Sequence, residues 1–557
     1  MPDNDGHSRS VSWSGEPGPR IDPAIFVYEL LYAAARGHRY AGNRYAGNRY
    51  TTHRHAGHWH AGMRGGKSRN GQGDTAIIAP ESAPAPGGSP KPRINKGVVL
   101  FVTAMASFLT PFMGSSINIA LPTIGKDFGA GAFSLSWITT AYLLAAAMFL
   151  VPVGRLADIT GRKRVFLAGT AGYTLVSLLC GLATSETMLI ILRVFQGTTD
   201  ALMFATATAI ITSAYPPQER GRALGVNVAS VYAGLAFGPF IGGIITSTLG
   251  WRSIFYLTTL LGLSVVVLTV TKMKDEWAEA AGQKMDWLGA ALYSLTLLAV
   301  MNGFRLLPRL SGIIMMAAGL LLLSAFVMRE NGTDHPVLDM GLFRKNVVFA
   351  MSNLAALINY AATFALTFLM SLYLQYTKGM DPQTAGIVLL SQPIIMSAFS
   401  FPAGRLADRV EPRLLASLGM AMSAAGLFLI TALGPASSLV HIVLVLMLCG
   451  LGFALFSAPN TSAIMGSVER KHYGVASATT SAMRLIGQML SMATAGMIVA
   501  LYIGNTQITT VNQGEFLVGF RAAFFVFGAL CVAGIFSSLA RGKLHSRKAA
   551  KPNERLP

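Results

Sequence analysis

Charge is scarce along this chain. Asp, Glu, Lys and Arg make up 12% of its 557 residues, against roughly 25% in a soluble globular protein, and 52% of the residues are hydrophobic. That leaves too little polar surface to clothe a water-soluble particle of this length, so the composition belongs in lipid. Acids are the scarcer of the two charges: 25 Asp and Glu face 44 Lys and Arg, a net charge of +19. In a soluble protein such an excess points to nucleic acid. Here the basic residues fall in the terminal stretches and in alternate short loops between apolar runs, the pattern of membrane topology and of attraction to anionic headgroups. Nucleic acid is therefore not an expected partner. Cysteine is nearly missing: Cys180, Cys449 and Cys531 all lie inside apolar runs without metal-ligand spacing, and read as inert packing residues. The chain also lacks a phosphate-binding Gly-rich loop with its Lys and Ser/Thr, a nucleophile elbow, and any metal-ligand cluster in the apolar region. Those absences speak against an enzyme and against ATP hydrolysis, and imply neither cofactor nor metal.

Residues 1–94 are a different material, rich in Gly, Pro, Ser, Arg and His, with RYAGN at Arg39 repeated at Arg44. Such sequence buries too little apolar surface to offset chain entropy and is expected to be a disordered low-complexity extension. Residues 21–35 are apolar enough for an interfacial helix but too short to span, and no small-residue cleavage site follows them. His53, His55, His58 and His60 have no Cys or carboxylate companion and read as incidental rather than as a metal site. Met63 is an alternative start, and a chain beginning there is expected to insert and function.

From Gly97 onward there are about fourteen apolar stretches of spanning length. They cover 97–118, 135–154, 165–183, 188–213, 223–247 and 253–271, a middle pair at 286–304 and 311–328, and then 347–375, 384–405, 414–433, 439–461, 473–503 and 518–540. Between the second and third lies GRLADITGRKR, residues 154–164, expected to be a tight turn. Arg155, Arg162, Lys163 and Arg164 have only Asp158 against them, so the loop is assigned to the cytoplasm. Gly154 and Gly161 are expected to let the helix ends approach, and Asp158 to meet a helix N-terminus or the loop arginines. An even number of spans then puts both termini in the cytoplasm. Arg305 and Arg309, between the middle two spans, fall on the wrong side for that topology.

The order G-x-L-A-D-x-x-G-R-K resembles the loop between the second and third spans of the major facilitator superfamily. A second copy, GRLADRVEPR from Gly404 through Asp408 to Arg413, has Glu411 and Pro412 in place of the later glycine. The fold this implies is all-α and membrane-integral: two six-helix bundles plus two extra central spans, about fourteen transmembrane helices in all. That arrangement resembles the fourteen-span drug:proton antiporter branch, whose middle pair begins with an Asp-x-x-Gly turn, here Asp286 to Gly289. The domain division expected is 1–94 extension, 95–271 first bundle, 272–345 linker with the extra spans, 346–540 second bundle and 541–557 basic tail. The family's substrate path lies between bundles.

Polar residues inside the apolar runs carry the chemistry. Arg193, Gln196 and Asp200 share one face of the fourth span. An arginine and a carboxylate there cost about 2.5 to 3.5 kcal/mol each on insertion scales and should face a polar cavity. A carboxyl in such a place can bind and release a proton near neutral pH; a buried ion pair locking the helix is the alternative. Residues 193–197 also match the family's R-x-x-Q-G, in which the resemblance implicates Arg193 in proton coupling, with Asp200 where the family has a small residue. The first span ends SSINIALP, like the branch's N-x-A-L-P ending, but Met113 stands where an acid is often found, so Asp200 is expected to take its place. The fifth span places Gly234, Gly238, Pro239, Gly242 and Gly243 in a G-x-x-x-G-P-x-x-G-G string that resembles the exporter-type motif. Its small residues at four-residue spacing offer a face to another helix. In the second half, Arg484 with Gln488, Asn460 beside Pro459, and Tyr373 with Gln375 are read either as cavity lining or as ordinary membrane-interface and helix–helix groups. Asn118, Gln196, Arg484 and Gln488 are assigned to the substrate cavity.

These readings converge on a secondary transporter in the plasma or inner membrane, a monomer that exports small amphipathic compounds against protons by alternating access. Its partners would be that substrate, protons and the bilayer. An organic-anion importer using Arg193 and Arg484, and a non-transporting sensor on the same fold, are the alternatives.

Overall fold

The computed structural model describes residues 95–542, except 308, 334–337, 339, 408, 470–472, 505 and 510, and leaves the side chains of 217, 218, 220–222, 305, 473 and 474 undescribed. The expected extension 1–94 with its histidines, most of the basic tail, and Asp408 lie outside the described residues.

All regular elements among the described residues are helical, and fourteen helices there are long and apolar enough to cross a membrane. In chain order they begin with α1 (Lys96–Phe128), α2 (Ala132–Thr160), α3 (Arg162–Gly181), α4 (Glu186–Ala214), α5 (Pro217–Thr248) and α6 (Arg252–Lys272). The inserted pair is α7 (Trp287–Leu306) and α8 (Leu310–Asn331). A short α9 (Met340–Lys345) leads into the ninth span, α10 (Val347–Thr363) and α11 (Leu366–Leu372) closed by a π turn at Tyr373–Thr377. Then come α12 (Pro382–Ala407), α13 (Pro412–Thr431), α14 (Leu439–Ser467), α15 (Tyr473–Ile503) and α16 (Gln513–Ala540).

Helix starts are set by local chemistry. Asn95, Ser185, Asn346 and Ser438 each accept a hydrogen bond from a backbone N–H three residues on, as an N-cap side chain should. Asp286 does the same for Gly289 at 3.0 Å and is bridged by Arg329 at 3.3 Å, which ties the start of α7 to the end of α8. Three expectations need correction. The first span does not stop at 118: α1 continues to Phe128, where Gly129 at φ 69° ends it. The tight turn at residues 154–164 is mostly helix, because α2 runs on to Thr160 and only Gly161, at φ 119°, leaves helical geometry before α3 begins. The ninth span is not one helix, since at Ala365 the backbone N–H donates to Ser491 Oγ at 3.0 Å instead of continuing the ladder.

In the first half α5 lies along α1, joined by Ser107 to Asn227 at 2.8 Å and Ser116 to the Gly238 carbonyl at 2.9 Å. In the second, α13 meets α16 through Ser417 and Ser538 at 2.9 Å. The inserted pair leans on α2: Tyr293 and Ser294 donate to the Ala147 and Met148 carbonyls at 3.1 and 3.0 Å. Leu310, Ile314, Leu320, Leu321 and Met328 of α8 are all more than half exposed, an apolar surface too continuous for water and suited to acyl chains.

One end of the molecule carries the Gly161 turn, here the loop end; the other carries Gly129 and is the far end. At the far end the halves touch through Gln375 Nε2 to the Ile119 carbonyl at 2.9 Å, Tyr376 to the Pro122 carbonyl at 3.3 Å, and the Ala132 N–H to the Thr506 carbonyl at 3.3 Å. Nearer the middle, Tyr232 and Ser457 hydroxyls lie 3.3 Å apart.

Candidate functional site

The site is organised by α4. Gly197 brings it against α2 so closely that a Cβ there would stand 2.2 Å from the Tyr142 carbonyl oxygen. That approach slides Arg193 under the Tyr142 ring, the guanidinium carbon 4.2 Å from the centroid, a favourable stacking for a desolvated cation. Arg193 is wholly buried. Its Nε donates to the Ile138 carbonyl at 3.1 Å and its Nη1 to Gln196 Oε1 at 2.5 Å, while Gln196 Nε2 donates to Ser177 Oγ at 2.7 Å. Nη2 has no hydrogen-bond partner among the described residues.

Asp200 lies two turns further along, 2% exposed. Its Oδ1 accepts from the Thr110 hydroxyl of α1, and the Tyr142 hydroxyl is close enough to interact with it without reaching hydrogen-bond geometry. Arg193 and Asp200 thus share Tyr142 as a neighbour but make their hydrogen bonds to different groups, and no ion pair closes between them among the described residues. A second cation near this stretch of α4 is Arg484, which crosses from α15 of the other half to stack over Phe204, one turn beyond Asp200, at 4.8 Å. Gln488, one turn on from Arg484, is half-buried.

The other expected cavity residues divide. Arg484 and Gln488 are both partly buried, and Arg484 reaches the other half at Phe204. Gln196 is enclosed within α3–α4 contacts, and Asn118, 2% exposed, accepts from Thr139 Oγ1 at 3.1 Å; in this conformation neither opens to a cavity. Asn460 is buried against Arg541, whose Nη1 reaches its Oδ1 at 2.7 Å. Tyr373 stacks on Phe520, and Gln375 belongs to the far-end closure.

The glycines of α5 face two ways. A Cβ on Gly234 would meet the Phe108 carbonyl at 2.5 Å, one on Gly238 the Ser115 side chain and Phe112 carbonyl, and one on Gly242 the Ser116 Cα at 2.8 Å, all on α1. Gly243 and Pro239 look instead across to the second half, where a Cβ on Gly243 would stand 2.6 Å from the Pro382 carbonyl and one on Gly386 2.3 Å from the Pro239 carbonyl. One string thus fixes α5 to α1 within its own half and to α12 of the other.

At the loop end Asp158 pairs with Arg162 at 2.7 Å. Arg162 is also gripped by Glu279 of the segment following α6, Nη1 to Oε1 at 2.7 Å and Nη2 to Oε2 at 3.0 Å, and by Ser213. From the same segment Glu276 accepts from the Lys163 N–H at 2.8 Å and so caps α3, Gln283 accepts from Arg155 at 2.6 Å, and the Ala280 N–H reaches the Asp158 carbonyl at 2.9 Å. Of the two roles expected of Asp158, the structure shows the pairing with a loop arginine, while Glu276 occupies the helix N-terminus. Gly161 is constrained by both its φ and this carboxylate, 2.7 Å from where its Cβ would be. Gly154 is not a close approach, contrary to expectation: its nearest neighbour would be Ala205 Cβ at 3.9 Å, and Gly404 has the same relation to Ala458.

Sequence reasoning missed Thr110, Tyr142 and Ser177, which give no local signal, since Thr, Tyr and Ser are ordinary in spans. It also missed Glu276 and Glu279, for which a signal existed: two acids three residues apart, in the segment leaving α6 at the same end as the most basic loop.

Comparison with known proteins places this geometry. The sequence profile of the Major Facilitator Superfamily matches residues 103–343 and 353–556. The riboflavin transporter RibZ of Clostridioides difficile is 29% identical over 447 residues, 79% of this chain and 96% of that protein. The multidrug resistance protein Stp of Mycobacterium tuberculosis is 30% identical over 416 residues, 73% of this chain and 77% of that one. A bacterial homologue of the human lysosomal transporter Spinster, inward-facing and unoccupied, superposes with a TM-score of 0.61 at 16% identity, over 81% of this chain and 98% of the other, a likeness of fold. With a match running through both halves and a multi-pass helical fold to go with it, the chain belongs to the Major Facilitator Superfamily and is a membrane transporter.

Proposed function

We propose that this transporter is a proton-coupled exporter of small amphipathic compounds, and that Asp200 is its proton site. The carrying observation is that a carboxylate enclosed in the middle of a span is met by a hydroxyl of its own half, Thr110, while an arginine of the opposite half, Arg484, stacks on Phe204 one turn further along the same helix. A carboxyl so placed can take a proton when the halves part on one face and give it up when they part on the other. Arg193, held by Gln196 and Ile138 rather than by Asp200, supplies a fixed positive field in the cavity wall. Arg484 moves with the other half, so its distance from Asp200 is what alternation changes. Export is supported by the exporter-type string on α5 and by the multidrug resistance relative at 30% identity. Uptake of an organic anion is the second reading; it is favoured by Arg484, a partly buried cation at the contact between the halves.

The same reading divides the chain at 95–271, 272–345 and 346–540, puts the loop end and both termini in the cytoplasm of a plasma or inner membrane, and takes the functional unit as a monomer. Gly154, Asp158, Gly161, Arg162, Gly404 and Asp408 form the switch. In everted vesicles acidified by respiration, adding a transported compound should collapse the acidification, and vesicles lacking the protein should not respond. Compounds that accumulate without moving protons would refute coupling.

A further inference from the structure

A cavity of about 230 Å³, whose lining includes neither Asp200 nor Thr110 nor Tyr142, lies among α7, α8, α9 and α15. Its walls are Leu297 of α7, Leu323 and Phe326 of α8, Met340 and Phe343 of α9, and Ile486 of α15. Two further lining side chains are polar, and both are spent: Tyr293 donates to the Ala147 carbonyl at 3.1 Å and Thr296 to the Leu292 carbonyl at 2.7 Å. What remains facing the space is apolar. Drug-sized ligands occupy roughly 300–1,000 Å³ and need a few placed polar groups, so this cavity is too small and too plain to be a second substrate site. Leu323 is 43% exposed and continues the bare apolar face of α8, so the cavity opens toward acyl chains. Left empty within a bilayer, its walls would forgo dispersion contacts on one side.

Charge selects among lipids. Phe343 is followed directly by Arg344 and Lys345, both exposed at the end of α9. Arg329, the other cation at this end of α8, is engaged by Asp286. We propose that the cavity and the Arg344–Lys345 pair form a binding site for one anionic phospholipid of the loop-end leaflet, an acyl chain filling the cavity and the phosphate meeting the two side chains. The lipid would hold the inserted pair α7–α8 to α15, the helix that carries Arg484.

The test uses the full-length protein in detergent, stripped of lipid and given equal amounts of phosphatidylglycerol and phosphatidylcholine with identical chains, the adducts being read by native mass spectrometry. Phosphatidylglycerol adducts should exceed phosphatidylcholine adducts on the order of tenfold, from two cations near the headgroup. Arg344→Ala with Lys345→Ala should equalise the two. Leu323→Trp, placed at the cavity mouth where folding tolerates it, should reduce both, and Leu297→Phe provides a second filling variant. Preference unchanged by the double alanine variant, or adducts unchanged by both filling variants that elute as folded protein, would overturn the proposal. So would displacement of phosphatidylglycerol by an equal concentration of inorganic phosphate, which would mark a free-anion site.

Discussion

Thr110 holds Asp200 through a hydrogen bond between a neutral hydroxyl and a carboxylate, a kind worth about 1.5–3 kcal/mol. If that contact positions the coupling group, Thr110→Val should slow proton-driven transport on the order of tenfold while Thr110→Ser stays near wild type, measured as initial rates under an imposed pH gradient. Equal rates for the two would remove Thr110 from the site. Asp200 and Arg193 could be picked from sequence because charged residues in an apolar run are costly wherever they point. Their partners could not. That Arg193 stacks on Tyr142 and bonds Gln196, instead of pairing with Asp200, is decided by how Gly197 seats α4 on α2, and helical spacing alone cannot foresee it.

Helix packing sorts the glycines of the two motifs. Gly234→Ala would drive a methyl to 2.5 Å from the Phe108 carbonyl, whereas Gly154→Ala would meet only Ala205 at 3.9 Å. Overpacking of the first kind costs typically 1–3 kcal/mol. Thermal unfolding in detergent should therefore show Gly234→Ala well below wild type and Gly154→Ala unchanged; the reverse order would contradict the α1–α5 packing. At the loop end Glu279 reaches Arg162 with both oxygens but is 63% exposed, so the pair is worth about 1 kcal/mol at most. Glu279→Gln should raise the fraction of molecules open at the far end roughly fivefold, by that same estimate, read as labelling of a single cysteine placed at Gln375. No increase would mean that the clasp is equally made in both conformations. The spans themselves were legible as apolar runs, and Asp286 as a cap, because these signals are local. The extension of α2 through its loop to Thr160 was not, because Gly and Asp suggest a turn until the chain after α6 is known to cover that end.

Across the whole molecule, the polar contacts described between the halves gather at the middle and the far end: Tyr232 with Ser457, Gln375 with Ile119, Tyr376 with Pro122, Ala132 with Thr506. Small residues let the backbones close there, with Gly243 and Gly386 at the α5–α12 seam and Gly496 against Ser136 at the α2–α15 seam. In the proposed alternating-access cycle the opposite conformation would break these contacts and bring the halves together at the loop end, carrying Arg484 relative to Asp200. Family and architecture were readable from a repeated loop motif and a count of apolar runs; which end is sealed was not, since both conformations share one sequence. The account stands on Asp200 being where the proton and substrate cycles meet. With the protein reconstituted in liposomes and any compound it is found to carry, Asp200→Asn should abolish accumulation driven by an imposed pH gradient while leaving substrate exchange at equal pH on both sides measurable. Wild-type accumulation by the Asn variant would contradict it.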